Sequence, residues 1–176
     1  YQVLAERGYE AATIKEIARA AGVAPGLVHY YFADKDALLV EVLDKAAEHN
    51  LAETARLTAT LRSRALLLAA LDARKRRVIE QPGWYRMRFE LFALGLRNPA
   101  IQPGVAHLLA NGRAGVDAVV RTVAGAAVDD AQAVAAVFLA ALDGLALQKL
   151  IDPSFDLDAG YAVLARLAAV LLPLGD

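Results

Sequence analysis

The sequence predicts an all-α fold in which an N-terminal helix-turn-helix unit of three short helices precedes a larger helical bundle. Apolar residues recur at helical spacing along nearly the whole chain, and no segment sustains the period-two alternation, bounded by hairpin turns, that strands need. Turn-forming residues punctuate this pattern at Gly8, Gly22, Gln81-Pro82-Gly83, Asn98-Pro99, Pro103-Gly104, the stretch 125–130 and Asp152-Pro153. They divide the chain into about nine helices.

The chain opens mid-pattern at Tyr1-Gln2-Val3-Leu4 without an initiator Met, so the first helix is expected to be cut short. Thr13 and Glu16 then have the Thr-x-x-Glu spacing of a capping box, which starts the second helix at Ile14 with two backbone donors satisfied. Gly22 follows that helix, where a left-handed φ is cheap only for glycine. Pro25 falls in the first turn of the third helix, where its missing N–H costs nothing. Two short helices, a tight turn and a further helix from about Asp34 form the layout of a DNA-reading helix-turn-helix, whose second helix enters the major groove.

At about 100° per residue, Ala24, Val28 and Phe32 share one face of the recognition helix, with Ile14, Ile17, Ala18, Val23, Leu38 and Leu39 available beneath them. The opposite face is centred on Gly26 and Tyr30 and flanked by Leu27 and His29. A glycine there admits a close approach by DNA, while Tyr and His offer hydrogen bonds to phosphates or base edges. Leu27 could touch a thymine methyl, and Lys35 is placed for a phosphate. The alternative is that the aromatic residues are packing. Val28 and Phe32 already fill the inner face, however, which leaves Tyr30 pointing outward and in need of a partner.

Taken together, Thr-Ile-x-x-Ile-Ala-x-x-Ala-Gly-Val-Ala-x-Gly-Leu-Val-x-x-Tyr-Phe-x-x-Lys-x-x-Leu between Thr13 and Leu38 closely resembles the N-terminal domain of TetR-family transcriptional regulators. The motif is long and specific. The resemblance implies a homodimeric, usually repressing, all-helical protein whose C-terminal domain binds a small molecule and releases operator DNA. It puts Thr13, Pro25, Gly26, Leu27, His29, Tyr30, Tyr31 and Lys35 at DNA-contacting positions. Two residues depart from the pattern. Ala24 stands where Ser or Thr is often found, removing a cap and a phosphate contact, and His29 replaces a frequent Tyr.

The 176 residues suffice for such a unit and one further domain, with the boundary expected near His49-Asn50, giving domains 1–48 and 49–176. Residues 1–50 carry five Lys/Arg against eight Asp/Glu, residues 51–100 ten against four, and residues 101–176 four against eight, for an overall charge of −1. The N-terminal domain is therefore not basic, which argues against strong non-specific attraction to phosphates. With no Cys, disulfides and thiolate chemistry are excluded. The composition is 57% apolar, but the longest apolar run, 133–142, is shorter than the roughly 20 residues of a bilayer crossing. No signal peptide is visible, so a cytoplasmic protein without membrane association is expected.

In the C-terminal domain, the helix expected over 83–97 is apolar on two sides, with Tyr85, Phe89, Phe92 and Leu96 on one and Trp84, Met87, Leu91 and Leu94 on the other. The resemblance implies that a central helix borders the effector cavity. Trp84, Tyr85, Arg88, Phe89 and Phe92 are then candidate pocket residues, Arg88 suiting an anionic or carbonyl-bearing ligand, with core packing as the alternative. His107 is a further candidate donor, or else an ordinary structural histidine. No metal ligands stand at binding spacing, and neither metal nor cofactor is expected. Arg74-Lys75-Arg76-Arg77 looks basic in isolation, but Asp72, Arg76 and Glu80 at i, i+4 and i+8 read as a solvated ion-pair ladder.

Residues 131–151 place Val134, Val137/Phe138, Ala141/Leu142 and Leu145 on one stripe, and the last helix repeats the pattern with Leu157, Tyr161, Leu164, Ala168 and Leu171/Leu172. So much apolar surface is either core or, as the resemblance implies, a homodimer interface built from the last two helices. No nucleophile-base set or phosphate loop indicates an enzyme. The sequence thus reads as a ligand-responsive regulator with operator DNA and a small effector as partners. The alternative is a module of the same fold that has lost DNA binding and takes only a ligand or partner.

Overall fold

The computed structural model describes residues 1–125, 128 and 130–172, and the side chains of all these except positions 49 and 50. Among them are nine helices and no strand: α1 (Gln2–Ala11), α2 (Ile14–Ala20), α3 (Pro25–Tyr31), α4 (Lys35–Thr60), α5 (Ser63–Glu80), α6 (Pro82–Gly95), α7 (Gln102–Ala124), α8 (Ala131–Ile151) and α9 (Leu157–Leu171). Of the break expected at 125–130, positions 126, 127 and 129 lie outside the described residues. The helix that the sequence ends near His49-Asn50 instead runs on to Thr60. No Gly or Pro interrupts 35–60, so nothing stops its hydrogen-bond ladder.

The chain divides into two compact units, one comprising Tyr1–Ala47 with Gln81–Leu109, the other Glu48–Glu80 with the chain from Ala110 onward. In the first unit the α2–α3 corner forms as its residues predict. Thr13 Oγ accepts from the backbone N of Glu16 at 3.2 Å while the Glu16 carboxylate accepts from the N of Thr13 at 3.1 Å, closing the capping box. Gly22 turns the chain with φ +70°, and Pro25 opens α3. Ala18, Val28 and Leu38 are buried together, with Ile14, Ile17, Phe32 and Val42 packed against them. Val23 and Ala24, expected in this cluster, are exposed. Val23 lies in the turn and Ala24 is the N-cap of α3, so helical periodicity fixes neither side chain's direction.

Helix α6 packs on α1. A Cβ on Gly83 would come within 2.9 Å of the Ala5 Cβ, so only glycine permits this approach. Tyr9 ties three helices together. Its hydroxyl donates to Asp36, whose other oxygen accepts from Asn98 Nδ2 at 2.9 Å. Its backbone N donates to Glu90 at 3.0 Å, and its carbonyl accepts from Lys35 Nζ at 2.8 Å.

In the second unit α5, α8 and α9 pack on one another. Helix α9 buries Leu157, Tyr161, Leu164 and Ala168, and α8 buries Ala131, Ala135, Phe138, Leu139, Leu142 and Ala146. Most of the α9 stripe assigned to self-association is therefore intramolecular core. Left outside are Val137, Leu147 and Ile151 on α8 and Val163, Leu167, Val170 and Leu171 on α9, of which only Val137 and Leu171 belong to the expected stripes. By length and composition α8 is apolar enough to cross a membrane, with mean hydropathy 1.8 over an 18-residue window of which 28% is buried. Counting the longest apolar run misses this, because Gln132, Asp143, Gln148 and Lys149 interrupt a helix that is otherwise apolar or glycine.

Burial raises the Glu90 carboxyl above its ordinary value, and the nearby Glu10 adds to the rise while Lys35 opposes it. The folded state therefore holds this proton more tightly than the unfolded chain does. The group's contribution to stability is complete below the ordinary glutamate range and is lost as pH rises through the raised value. Glu90→Gln keeps an acceptor for the Tyr9 N–H without the charge. Thermal unfolding from pH 4 to 7 should show a flatter pH dependence for this variant and a higher Tm at neutral pH.

Candidate functional site

Seven residues form α3, and Val28 alone among them is buried. Pro25, Gly26, Leu27, His29, Tyr30 and Tyr31 are all exposed, Tyr30 at 81% and Tyr31 at 69%. The two tyrosine rings meet edge to face with centroids 5.1 Å apart, each bracing the other without a core contact. An added Cβ at Gly26 would meet nothing within 4 Å, and its φ is not left-handed. Neither packing nor backbone geometry inside the chain requires glycine there. The outward arc is thus a small, polar-tipped aromatic surface with a bare stretch of backbone at its N-terminal end, shaped for a close external partner.

Thr13 is exposed at the start of α2, with its hydroxyl engaged by Glu16. Lys35 sits elsewhere than the sequence predicts. Its ammonium donates to the carbonyls of Tyr9, Glu10 and Ala12 at 2.8, 3.4 and 3.1 Å and lies 4.2 Å from the Tyr9 ring centroid. A cation at the end of α1 offsets the carbonyls left over there, so in this structure Lys35 fastens α1 to α4 and does not extend the outward arc. Over the whole first unit the charges balance, eight Lys/Arg against eight Asp/Glu, because the arginines of α6 and of residue 97 belong to it.

The residues expected to line an effector pocket belong to the first unit. Trp84, Tyr85 and Arg88 are buried in the first unit, with Phe89 and Phe92 half-buried beside them. Trp84 and Tyr85 stack edge to face at 4.8 Å, and the Arg88 guanidinium lies 5.2 Å from the Trp84 ring and 4.6 Å from that of Phe92. These side chains are core because α6 lies against α1. Leu96, assigned to the same stripe, is 86% exposed because α6 ends at Gly95. His107 stands on the surface, 3.9 Å from Asp44.

A pocket does exist in the second unit. It is a narrow cavity of about 50 Å³, and with its open mouth included the empty space is about 610 Å³. The walls come from α4, α5, α7 and α8, with Leu57, Leu67, Leu71, Val116, Val119, Val120, Phe138 and Leu142 among the apolar residues and Glu53, Thr54, Arg74 and Arg77 among the polar ones. The run at 74–77 is therefore not wholly a solvated face. Arg76 pairs with Asp72 at 3.3 Å as its spacing predicts. Arg77, though, is only 6% exposed and pairs with Glu53 at 2.7 Å. The missed signal was the run of three- and four-residue steps from Leu67 through Ala70 and Ala73 to Arg77, which carries Arg77 onto the apolar face of α5.

Comparisons with known proteins agree with this architecture. Residues 1–42 match the bacterial regulatory proteins of the tetR family, and residues 62–173 match the family described as tetracyclin repressor-like, C-terminal domain. Over 42 residues the chain is 45% identical to the HTH-type transcriptional regulator BetI of Rhizobium meliloti (strain 1021), a stretch covering 24% of this chain and 21% of that protein. A TetR-family regulator from a Rhodococcus species superposes with TM-score 0.76 at 21% identity, over 97% of this chain and 92% of that one. The transcriptional regulator FadR from Bacillus subtilis, solved in complex with stearoyl-CoA, superposes with TM-score 0.69 at 16% identity, over 95% and 92%. At these identities the two structural likenesses are of fold.

Because the outward arc makes no core contacts, Tyr30→Ala should leave the unfolding temperature unchanged yet weaken binding to a duplex that the parent chain binds by at least tenfold at fixed salt. Gly26→Ala should hold or slightly raise stability, since alanine suits a helix better by about 0.5–1 kcal/mol, and should weaken the same binding. Equal affinity in a gel shift for both variants and the parent would show that this arc does not face DNA.

Proposed function

This chain belongs to the tetR family of bacterial regulatory proteins, as a transcriptional regulator with an N-terminal helix-turn-helix, and on that premise we propose that it is a homodimeric repressor. In this reading it acts in the cytoplasm and releases palindromic operator DNA when a small amphipathic effector binds. The observation that carries the DNA-binding part is the outward arc of α3, on which Gly26, Leu27, His29, Tyr30 and Tyr31 are exposed while Val28 alone is buried. Thr13, Pro25 and, were its ammonium released from α1, Lys35 complete the proposed contact set. The duplex would take its hydrogen bonds from the phenols and the imidazole, and apolar contact from Leu27.

The dimer is supported by the apolar lines left exposed on α8 and α9. Val137, Ala140, Gly144, Leu147 and Ile151 recur at alternating three- and four-residue spacing on one helix, as do Val163, Leu167 and Val170 on the other. The large members of both lines are between 44% and 84% exposed. Apolar stripes of this period on two neighbouring helices are suited to a four-helix interface with a second copy. The effector is assigned to the pocket walled by α4, α5, α7 and α8. A ligand against Glu53, Thr54 and Leu57 would bear on the same unbroken helix, α4, whose first turns hold Asp36 and Leu38 beside α1 and α3. Two recognition helices must match half-sites about one helical turn apart, so a shift of a few ångströms would weaken binding.

Leu167→Glu tests this reading. A charge in the centre of the α9 line should convert a dimer to a monomer in sedimentation, leave the helical content intact and lower operator affinity at least tenfold, because each half-site contact then stands alone. A variant that stays dimeric would overturn the assigned interface. A parent chain with no salt-dependent binding to any palindromic duplex would instead favour a module of this fold that binds only ligands or partners.

A further inference from the structure

The polar and apolar walls of the second-unit pocket are segregated. Helices α4 and α5 run as an antiparallel pair, fixed by the Arg77–Glu53 contact at 2.7 Å and separated only by Leu61 and Arg62. Glu53, Thr54, Arg74 and Arg77 therefore cluster at the end away from that connection, while Leu57, Leu67 and Leu71 lie towards it. From Leu67 to Arg74 is about 10 Å along α5 at roughly 1.5 Å per residue. On the other side, Val116, Val119 and Val120 of α7 and Phe138 and Leu142 of α8 extend the apolar wall.

The charges at the polar end do not cancel. Glu53 is held by Arg77 and, at 3.4 Å, by Arg76. Arg74 is half-buried in the pocket wall and has no ion pair or hydrogen bond among the described residues. A Cβ added at Gly115 would touch the Arg74 guanidinium at 3.7 Å and Leu51 at 3.3 Å, so the bare glycine keeps a side chain off that flank. Counting Glu53, Arg74 and Arg77, the lining carries one net positive charge. A cation drawn partly out of water beside apolar walls is stabilised by one anion, and a guanidinium matches a carboxylate two bonds at a time.

We propose that the pocket takes an amphipathic monoanion, a carboxylate with a narrow, medium-length apolar body, with the head group on Arg74 and the body between Val116, Val119, Phe138 and Leu142. The inference rests on the pocket being the effector site, and it is separable from that reading by experiment. The Arg77–Glu53 pair closes the polar end and leaves Arg74 as the anchor. A neutral alcohol of equal length would fill the same walls without the ion pair, and an alkylammonium would be repelled.

Titration calorimetry of the full chain with octanoate, 1-octanol and octylammonium tests this without any variant. Octanoate should bind at least tenfold more tightly than the other two. Arg74→Met, which keeps the apolar stem, should abolish the preference, and Arg74→Lys should restore part of it. If octanol binds as well as octanoate, if octanoate does not bind, or if folded Arg74→Met binds octanoate unchanged, the assignment is overturned. Octanoate binding that depends on Arg74 but leaves operator affinity unchanged in a gel shift would uphold the ligand class and defeat the effector reading.

Discussion

A seven-residue helix that buries one side chain cannot hold its own position. Helix α3 contributes Val28 to the cluster with Ala18 and Leu38, and everything else on it faces out. An isolated helix of that length is unstable in water, so its conformation and its aim are imposed from outside. The capping box at Thr13, the left-handed turn at Gly22 and the Pro25 start fix its direction, and the aliphatic contacts of Ile14, Ile17 and Val42 complete its floor. The benefit of this arrangement is that nearly every side chain on the helix is available to a partner.

The same logic explains why the first unit extends beyond its opening helices. Tyr9 brings α1, the start of α4 and α6 to one point through Asp36, Lys35, Glu90 and Asn98. Gly83 lets α6 approach α1 at a distance that no other residue permits. Aromatic residues on α6 are then core by placement, and Arg88 is accommodated between the Trp84 and Phe92 rings by its flat cation. A lysine that serves as a clip for α1 and a helix of aromatics that serves as support leave α3 as the exposed aromatic surface of the first unit.

Legibility in the sequence followed the range of the interaction. The caps, turn and start of α2 and α3 depend on neighbours within four residues, and Thr13, Gly22 and Pro25 showed them directly. The outward position of Tyr30 was legible for the same reason, because one helical period relates it to Gly26. Partners distant in the chain were not legible. Nothing in the local pattern of 83–97 shows that α1 covers it. Nothing near Lys35 announces the carbonyls of Tyr9 and Ala12, and nothing near Arg77 announces Glu53, 24 positions away. On α9 the helical period was correct, yet two apolar faces compete and only packing decides that Leu157, Tyr161 and Leu164 turn inward while Val163 and Leu167 remain outside.

In the proposed dimer two copies of one short arc would be related by a two-fold axis and should recognise a sequence with the same symmetry. Selection of bound duplexes from a random-sequence pool, using the full chain at a fixed salt concentration, measures this directly. Enrichment of an inverted repeat whose half-sites lie about one helical turn apart, or a multiple of it, is the predicted result. Recovery of no enriched sequence, or of a motif without two-fold symmetry, would contradict the assignment of the α3 arc as the DNA-reading surface of a symmetric regulator.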